Sequence, residues 1–420
     1  MVCRTNETLS SSQPFLTPLL RMTTMLFWIL TWMVLILSLP ALTLAAYSAR
    51  GKGRKVFFRY SAISLLPVVL LLIFGFTADA MRTYSPTDFR IVGTFILIIL
   101  TYAAVQWIMA IACMLAWLTG TYHPLCKKLF LAGGILMSTL IVCMGIYGRS
   151  IGIWKLHCTK DTLSSSSIPP AFHNYRIALF TDFHLGTFGT DTTFAHRVVD
   201  SIMQAQPDII LFGGDLVNYD TKEIIPFLPV LSRLHAPDGV YAVMGNHDYQ
   251  ENRYWNSPVQ RQNSVNRMKK LLSSVGWTLL DNESRFLVKE SDSIALIGTE
   301  NDGLPPFPSL GDLQKATRQL TNTLSKKKHF SILLTHDPTC WKRKVVHQTN
   351  ISLTLSGHTH ACQFQWGDFS PASWKYAEWA GWYNQGDQHL FVSKGVGEAF
   401  LFARIGAWPE INLITLHHLP

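Results

Sequence analysis

Five short apolar runs in the second half of the chain each end in polar side chains, and this repetition constrains the fold more than any other feature. The runs are typical of short buried strands, and the carboxyl ends of such strands are where open α/β sheets place their ligands. One polar turn or one buried histidine would need no special explanation, whereas five such clusters predict a shared site. The clusters comprise Asp182 and His184; Asp215; Asn246, His247 and Asp248; His336 and Asp337; and His358 and His360.

Between these runs, amphipathic segments alternate with further apolar ones. Helices are predicted at Thr192–Ala205, Val265–Val275 and Asp312–Leu324. This alternation predicts a mostly parallel, layered α/β domain over residues 175–420. The strands that carry the clusters are predicted at Tyr175–Thr181, Asp208–Phe212, Val240–Met244, Phe330–Thr335 and Ile351–Ser356.

The first half of the chain has a different character. Four apolar stretches each approach the roughly 20 residues that a helix needs to cross a bilayer. They predict an all-α, four-span membrane region over residues 22–156, which follows a disordered tail at residues 1–21 and precedes a Ser-rich linker at residues 157–174. The stretches are Met25–Tyr47, Phe57–Ala78, Ile91–Thr119 and Leu129–Tyr147.

The distribution of charge supports a membrane region and not a nucleic-acid surface. Residues 1–159 carry 13 basic and 3 acidic side chains, whereas residues 160–420 carry 23 and 24. The basic residues flank the apolar stretches, so no nucleic-acid partner is expected and the bilayer is the expected partner. The middles of the stretches lack Asp, Glu, Lys and Arg, which favours an anchor over a transporter.

The side of the membrane follows from the positive-inside rule. The loop at Arg50–Arg59 holds five basic residues and no acid, which predicts that it is cytoplasmic. Four spans then place the domain at 175–420 outside the cytoplasm. Arg149, Lys155 and Lys160, after the last stretch, favour the opposite side.

The donor types in the clusters predict the chemistry of the site. Imidazole, carboxylate and amide groups without a thiolate suit two divalent ions such as Mn, Fe, Zn or Ni. If each ion takes about four protein ligands, one carboxylate is shared, and Asp215 is the natural bridge. The seven cysteines fit no C-x-x-C pattern, and Cys340 and Cys362, which lie near the clusters, are interpreted as packing residues and not as ligands or a bridge.

These clusters resemble the five ordered blocks of the calcineurin-like metallophosphoesterases. The blocks lie in the family's order within residues 175–420, and the apolar first half is similar to that of a bacterial membrane-associated branch. The resemblance implies a β-sandwich flanked by helices. In one departure, Ala361-Cys362 stand where relatives often have two glycines, which concerns local backbone shape and substrate fit. The blocks are Asp182-Phe183-His184, Gly214-Asp215, Gly245-Asn246-His247-Asp248, His336 and Gly357-His358-Thr359-His360.

The resemblance also implies a role for each residue. His247 would face the substrate phosphate and protonate the leaving oxygen, with Asp248 orienting it. Two ions would lower the pKa of a bridging water, whose hydroxide would attack the phosphorus in line. Asp182, His184 and His360 would bind one ion, Asn246, His336 and His358 would bind the other, and Asp215 would bind both.

The expected function is a membrane-anchored phosphoesterase that hydrolyses phosphate esters of lipid-linked or cell-envelope substrates. Eight aromatic residues at 364–383 belong either to the core or a capping loop, or to an apolar lip that admits a lipid tail or touches the bilayer. Arg404 contacts either a phosphate or a structural carboxylate. Two alternatives stay open: a cytoplasmic-facing pyrophosphatase of a nucleotide-linked lipid precursor, and a non-catalytic metal-binding module of a membrane sensor. The sequence leaves the oligomeric state open.

Overall fold

The computed structural model describes residues 69, 86–120, 123–251, 255–318, 320, 330–399 and 402–420. The predicted tail and the first two predicted spans lie outside these residues, apart from Val69. In the described part, two helices are long and apolar enough to cross a membrane, at Gly93–Thr119 and Pro124–Trp154. They coincide with the third and fourth predicted spans, so the count of four stays a prediction.

Six α-helices and twelve strands make up the regular structure of the described residues. The helices are α1 (Pro86–Gly120), α2 (Pro124–Ser150), α3 (Thr193–Gln204), α4 (Leu228–Leu231), α5 (Pro258–Ser274) and α6 (Leu313–Thr317). The strands are β1 (His157–Ser165), β2 (Tyr175–Phe180), β3 (Ile209–Phe212), β4 (Val240–Ala242), β5 (Trp277–Leu279), β6 (Glu283–Lys289), β7 (Asp292–Gly298), β8 (Ser331–Leu334), β9 (Leu353–Ser356), β10 (Gly381–Gln385), β11 (Gln388–Val392) and β12 (Glu410–His418).

The strands form two six-stranded sheets. Their orders are β1-β12-β2-β3-β4-β5 and β10-β11-β9-β8-β7-β6. Antiparallel pairing occurs at β12–β2, β10–β11 and β6–β7, and the remaining pairings are parallel. The expected layered α/β domain is therefore confirmed as a mixed, two-sheet fold.

Both faces of each central strand are buried, which explains why these strands appear in the sequence as continuous apolar runs. In β2, Ile177 and Leu179 belong to a core that also holds residues of the second sheet, whereas Ala178 and Phe180 pack in the core that contains α3 and α5. A third core joins the second sheet to α6. The order of layers is therefore helices, sheet, sheet, helices.

The interpretation of residues 157–174 as a linker is wrong for its first half. His157–Ser165 is the edge strand β1, which pairs in parallel with β12 along its whole length. Its side chains are mostly exposed and polar, so the apolar periodicity that identifies a strand is missing. The partner strand lies about 250 residues further along the chain, and its backbone supplies the stabilising hydrogen bonds. The two-sheet domain thus begins near His157.

Candidate metal centre

All seven residues predicted as metal ligands lie on loops that follow strands at one end of the two sheets. Asp182 and His184 follow β2, Asp215 follows β3 and Asn246 follows β4 in the first sheet; His336 follows β8, and His358 and His360 follow β9 in the second. Because these strands run parallel within each sheet, their carboxyl ends deliver the side chains to a common position. The structure therefore brings together residues separated by up to 178 positions.

The first group of donor atoms comes from Asp182, His184 and His360. The Nε2 atoms of His184 and His360 are 3.2 Å apart, and His360 Nε2 is 3.4 Å from Asp182 Oδ1. His184 Nε2 is also 3.7 Å from Asp215 Oδ2. Four nitrogen and oxygen atoms thus converge as they would around one cation.

The second group comes from Asp215, His336 and His358. His336 Nε2 is 3.1 Å from Asp215 Oδ2 and 3.2 Å from His358 Nδ1. Asn246 is buried, and its Oδ1 has no hydrogen-bond partner among the described residues. A buried acceptor without a donor is uncommon, and a bound cation would satisfy it. This orphaned oxygen and the thiolate-free donor set fit a divalent metal ion.

Burial and charge determine the protonation of the histidines. Burial lowers the pKa of His184 to about 3 and that of His358 to about 4, which keeps both imidazoles neutral, as metal binding requires. Burial would also lower the pKa of His336, but the adjacent Asp215 carboxylate raises it to about 10.

Hydrogen bonds to the other ring nitrogen orient two of these histidines. His184 Nδ1 donates to Asn218 Oδ1 at 2.8 Å, and His336 Nδ1 donates to the Gly213 carbonyl at 2.8 Å. Each bond leaves the Nε2 lone pair free to coordinate a metal. The sequence interpretation missed Asn218, although it stands only three residues after Asp215. It also missed Tyr376, whose hydroxyl is 3.0 Å from His358 Nε2.

Five of the predicted ligands have a left-handed backbone, which is a strained conformation for residues other than glycine. Ala361 and Cys362, at φ 51° and 47°, continue this geometry where the resembled family often has glycines. Ala361 and Cys362 therefore adopt a backbone conformation that glycine would adopt without strain. The ligands concerned are Asp182 (φ 54°), His184 (50°), Asp215 (59°), His358 (75°) and His360 (50°).

His247 lies beside these donor atoms and is half-buried. Its Nδ1 donates to the main-chain oxygen of Asn218 at 2.9 Å, and its ring centroid is 4.9 Å from that of His184. The hydrogen bond at Nδ1 leaves Nε2 as the nitrogen that can exchange a proton with a substrate. The structure thus orients His247 through a carbonyl group.

Asp248 has a different position from the one that the resemblance implied. Its carboxylate accepts hydrogen bonds from four backbone N–H groups and makes no hydrogen bond with the His247 ring. It therefore holds the loops after β3 and β4 together. The four donors are the amides of Asp215, Leu216, Val217 and Gly245, at 2.8 to 3.2 Å.

Arg404 is fixed inside the domain. Its side chain is fully buried, and its N–H groups donate to main-chain carbonyls. Its Nη2 lies 3.2 Å from Nδ1 of His360. Burial lowers the pKa of Arg404 to about 10, and the charges of the Glu398, Glu410 and Asp182 carboxylates act in the opposite direction.

The aromatic segment at 364–383 divides into two parts. Trp366 and Trp374 are 72% and 81% exposed and Phe369 is 45% exposed, whereas Tyr376 and Tyr383 make hydrogen bonds inside the domain. Part of the segment is therefore structural, and part is an exposed apolar surface. Nearby, Cys340 is buried and Cys362 exposed, and neither belongs to a donor group in the described part of the chain.

Fold and site together define a class: a two-sheet α/β domain with a candidate divalent-metal site at the strand ends. Comparison with known proteins identifies the family. The model of the calcineurin-like phosphoesterase family matches residues 175–362. The chain is 31% identical over 303 residues to the uncharacterized metallophosphoesterase YkuE of Bacillus subtilis. The aligned region covers 69% of this chain and 97% of YkuE. This chain belongs to the calcineurin-like phosphoesterases.

Two further relatives are similar over most of the same region. Phosphodiesterase YaeI of Escherichia coli is 27% identical, over 58% of this chain and 82% of YaeI. A bovine protein named "transmembrane protein with metallophosphoesterase domain" is 28% identical, over 60% of this chain and 55% of its own length. The family and these relatives make the chain a metal-dependent phosphoesterase.

Proposed function

We propose that this enzyme is anchored in a membrane and uses two divalent ions to hydrolyse phosphate esters of lipid-linked or cell-envelope substrates. Three donor groups occur among the described residues, and two of them, Asp182–His184–His360 and Asp215–His336–His358, support two ions with Asp215 between them. The third group joins His184 and Asp215 to His247, which the proposal assigns to proton transfer. In this proposal Asp182, His184 and His360 hold one ion, and Asn246, His336 and His358 hold the other. Mn, Fe, Zn and Ni all suit these nitrogen and oxygen donors.

When bound, the ions would lower the pKa of a water molecule and neutralise charge on the phosphoryl oxygens. His247 supplies the second requirement of ester hydrolysis, a proton for the leaving oxygen. Its Nδ1 is occupied by the Asn218 carbonyl, so the proton transferred is the one on Nε2. The buried Asp248 carboxylate keeps the backbone of both flanking loops in place during this transfer.

Three observations support a lipidic substrate. The described chain includes two helices that could cross a membrane, and a relative is named a transmembrane protein. Trp366, Phe369 and Trp374 expose large apolar rings on the segment that follows the last predicted ligands. Tryptophan favours the bilayer interface because its ring is apolar and its N–H is polar.

The first experiment tests the metal-dependent chemistry. The full chain, purified in detergent and depleted of metal, is assayed with bis(p-nitrophenyl) phosphate and added Mn²⁺. Asp215→Asn should abolish hydrolysis, and His247→Ala should lower turnover about 10²- to 10⁴-fold while both ions remain bound. His235→Ala, which alters an exposed histidine, is the control. Loss of both ions from His247→Ala would contradict the role given to His247, and no turnover with any metal would favour a binding module.

A second experiment tests the substrate class. A lipid extract is incubated with the active enzyme and with Asp215→Asn, and the products are compared by mass. A lipid phosphate ester consumed only by the active enzyme supports the proposal. An unchanged lipid profile, together with turnover of the artificial diester, would refute a lipidic substrate.

The extracytoplasmic position of the catalytic domain also belongs to this proposal. It is supported by the basic loop at Arg50–Arg59. Labelling of Cys362, which is exposed, by a membrane-impermeant thiol reagent in intact cells tests it. Labelling only after lysis would place the domain in the cytoplasm and favour the nucleotide-linked pyrophosphatase.

A further inference from the structure

The segment Phe402–Ala407 lies between the end of α2 and the candidate metal centre. The Arg404 amide donates to the Gly148 carbonyl at 3.2 Å. A Cβ added at Gly148 would lie 2.8 Å from Ile405 Cγ1, and one added at Gly152 would lie 2.0 Å from the Arg404 carbonyl oxygen. The main chain around Arg404 therefore packs directly against the last turn of α2 and the residues that follow it.

The Arg404 side chain extends from this segment to the site. Nε donates to Gly397 O at 3.0 Å, Nη1 to Ala407 O at 2.9 Å and Nη2 to Lys394 O at 3.0 Å, and Nη2 is also 3.2 Å from His360 Nδ1. A buried guanidinium is costly unless its donors are paired, and here carbonyl groups surround it. An arginine N–H can only donate, so this contact uses the Nδ1 lone pair of His360 and does not itself favour metal binding at Nε2. Arg404 supports the site through the carbonyls of residues 394 and 397.

The carbonyls that Arg404 binds belong to a loop that also supports Asp182. Gly397 N donates to Asp182 O at 2.8 Å, and a Cβ at Gly395 would lie 2.6 Å from Asp182 Cβ. The Arg404 guanidinium therefore contacts His360 directly, and it contacts Asp182 indirectly through the loop at residues 394–397. Both are residues proposed to hold the first ion.

We propose that Arg404 is a positioning residue for the first ion and that its main chain couples this ion's site to the end of α2. This inference rests on the proposed two-ion function. The planar guanidinium donates in several fixed directions at once, which a lysine ammonium cannot reproduce. Arg404 thereby contacts the end of α2 with its main chain and the proposed ligand His360 with its side chain.

The experiment measures metal content and not only activity. The metal-free full chain in detergent is titrated with Mn²⁺, and bound Mn²⁺ is counted by mass spectrometry alongside the thermal unfolding temperature. Arg404→Lys should keep one ion at wild-type affinity and bind the other 10- to 100-fold more weakly, as is usual when a group behind a ligand is lost. Excess Mn²⁺ should restore both ions and activity, which a general loss of structure would not allow.

Glycine variants test the coupling without altering any ligand. Gly152→Ala forces the Arg404 carbonyl to move, so it should weaken binding of the same ion. Gly133→Ala is the matched control in α2, because no described residue lies within 4 Å of its added Cβ. If Arg404→Lys fails to fold, Gly152→Ala decides the question.

The outcomes separate the two proposals. A wild-type enzyme that binds two ions, together with an Arg404→Lys or Gly152→Ala variant that binds both with unchanged affinity, overturns this inference alone. A wild-type enzyme that binds no Mn²⁺ overturns the proposed function. Weaker binding of one ion in both variants supports the coupling.

Discussion

Asn218 supports two histidines of the site through different atoms, so one substitution can separate their roles. Its side-chain Oδ1 accepts from His184 Nδ1, and its main-chain oxygen accepts from His247 Nδ1. The side chain is buried, and its Nδ2 also donates to Thr187 Oγ1 at 3.2 Å. Asn218→Ala removes the support of His184 and the bond to Thr187, and it leaves the carbonyl that holds His247, because that carbonyl belongs to the backbone.

The size of the effect follows from the lost hydrogen bond. A buried N–H left without an acceptor costs about 1–3 kcal/mol. Loss of a group that orients a metal ligand typically weakens metal binding 10- to 100-fold, which corresponds to about 1.4–2.8 kcal/mol. We therefore expect Asn218→Ala to bind one of two Mn²⁺ ions 10- to 100-fold more weakly. Turnover with saturating Mn²⁺ should stay within a few-fold of wild type, because His247 keeps its orientation.

The assay is a Mn²⁺ titration of the metal-free full chain, followed by kcat at saturating Mn²⁺. Asn218→Asp is the matched variant: it keeps an acceptor for His184 Nδ1, loses the donor to Thr187 and adds a buried carboxylate. It should bind Mn²⁺ more tightly than Asn218→Ala. Wild-type affinity in Asn218→Ala, or a loss in Asn218→Asp as large as that in Asn218→Ala, would refute the orienting role of this side chain.

The remaining predictions concern two buried carboxylates and the metal. Asp248→Asn should lower the free energy of unfolding by about 2–6 kcal/mol in a denaturant titration, because at least two of the four backbone N–H groups lose their acceptor; a loss below about 1 kcal/mol would contradict this. Burial raises the pKa of Glu223 from its ordinary 4.5 to about 7, so its stabilising contribution is complete below about pH 4.5 and is lost as pH rises through 7. Gln at position 223 cannot titrate, so the free energy of unfolding of Glu223→Gln should rise by about 3 kcal/mol relative to that of the wild type between pH 4.5 and pH 8. A difference in unfolding free energy that does not change with pH would refute the raised pKa of Glu223. Chelation by EDTA should abolish hydrolysis and lower the unfolding temperature, and added Mn²⁺ should restore both.

The residues of the candidate site could be identified from the sequence because their signals are local. A strand buried on both faces must be apolar, and a polar residue directly after it stands at the sheet edge whatever its neighbours are. Asp215 and His358 could therefore be singled out without knowing how their strands pair. The same reasoning predicted the layered α/β domain, since it uses only the spacing of apolar residues.

Contacts between distant segments could not be predicted in this way. β1 has no apolar pattern of its own and exists because β12 offers a parallel backbone edge. Asp248 is two positions from a proposed ligand, yet only the approach of the loops after β3 and β4 shows that it binds four amides. Arg404 offered two roles in the sequence, and only the structure shows which groups surround it, because its neighbours come from residues 360, 394 and 397.

The sequence alone therefore determined which side chains could carry the chemistry, because the alternation of apolar and polar residues along a strand is a property of neighbouring positions. The tertiary structure decided how those side chains are oriented. Orientation depends on contacts with residues elsewhere in the chain, such as the hydrogen bond that His184 donates to Asn218 and the contact of Arg404 with His360. The first pair meets because β2 and β3 are neighbours in one sheet, and the second pair meets because the two sheets pack together.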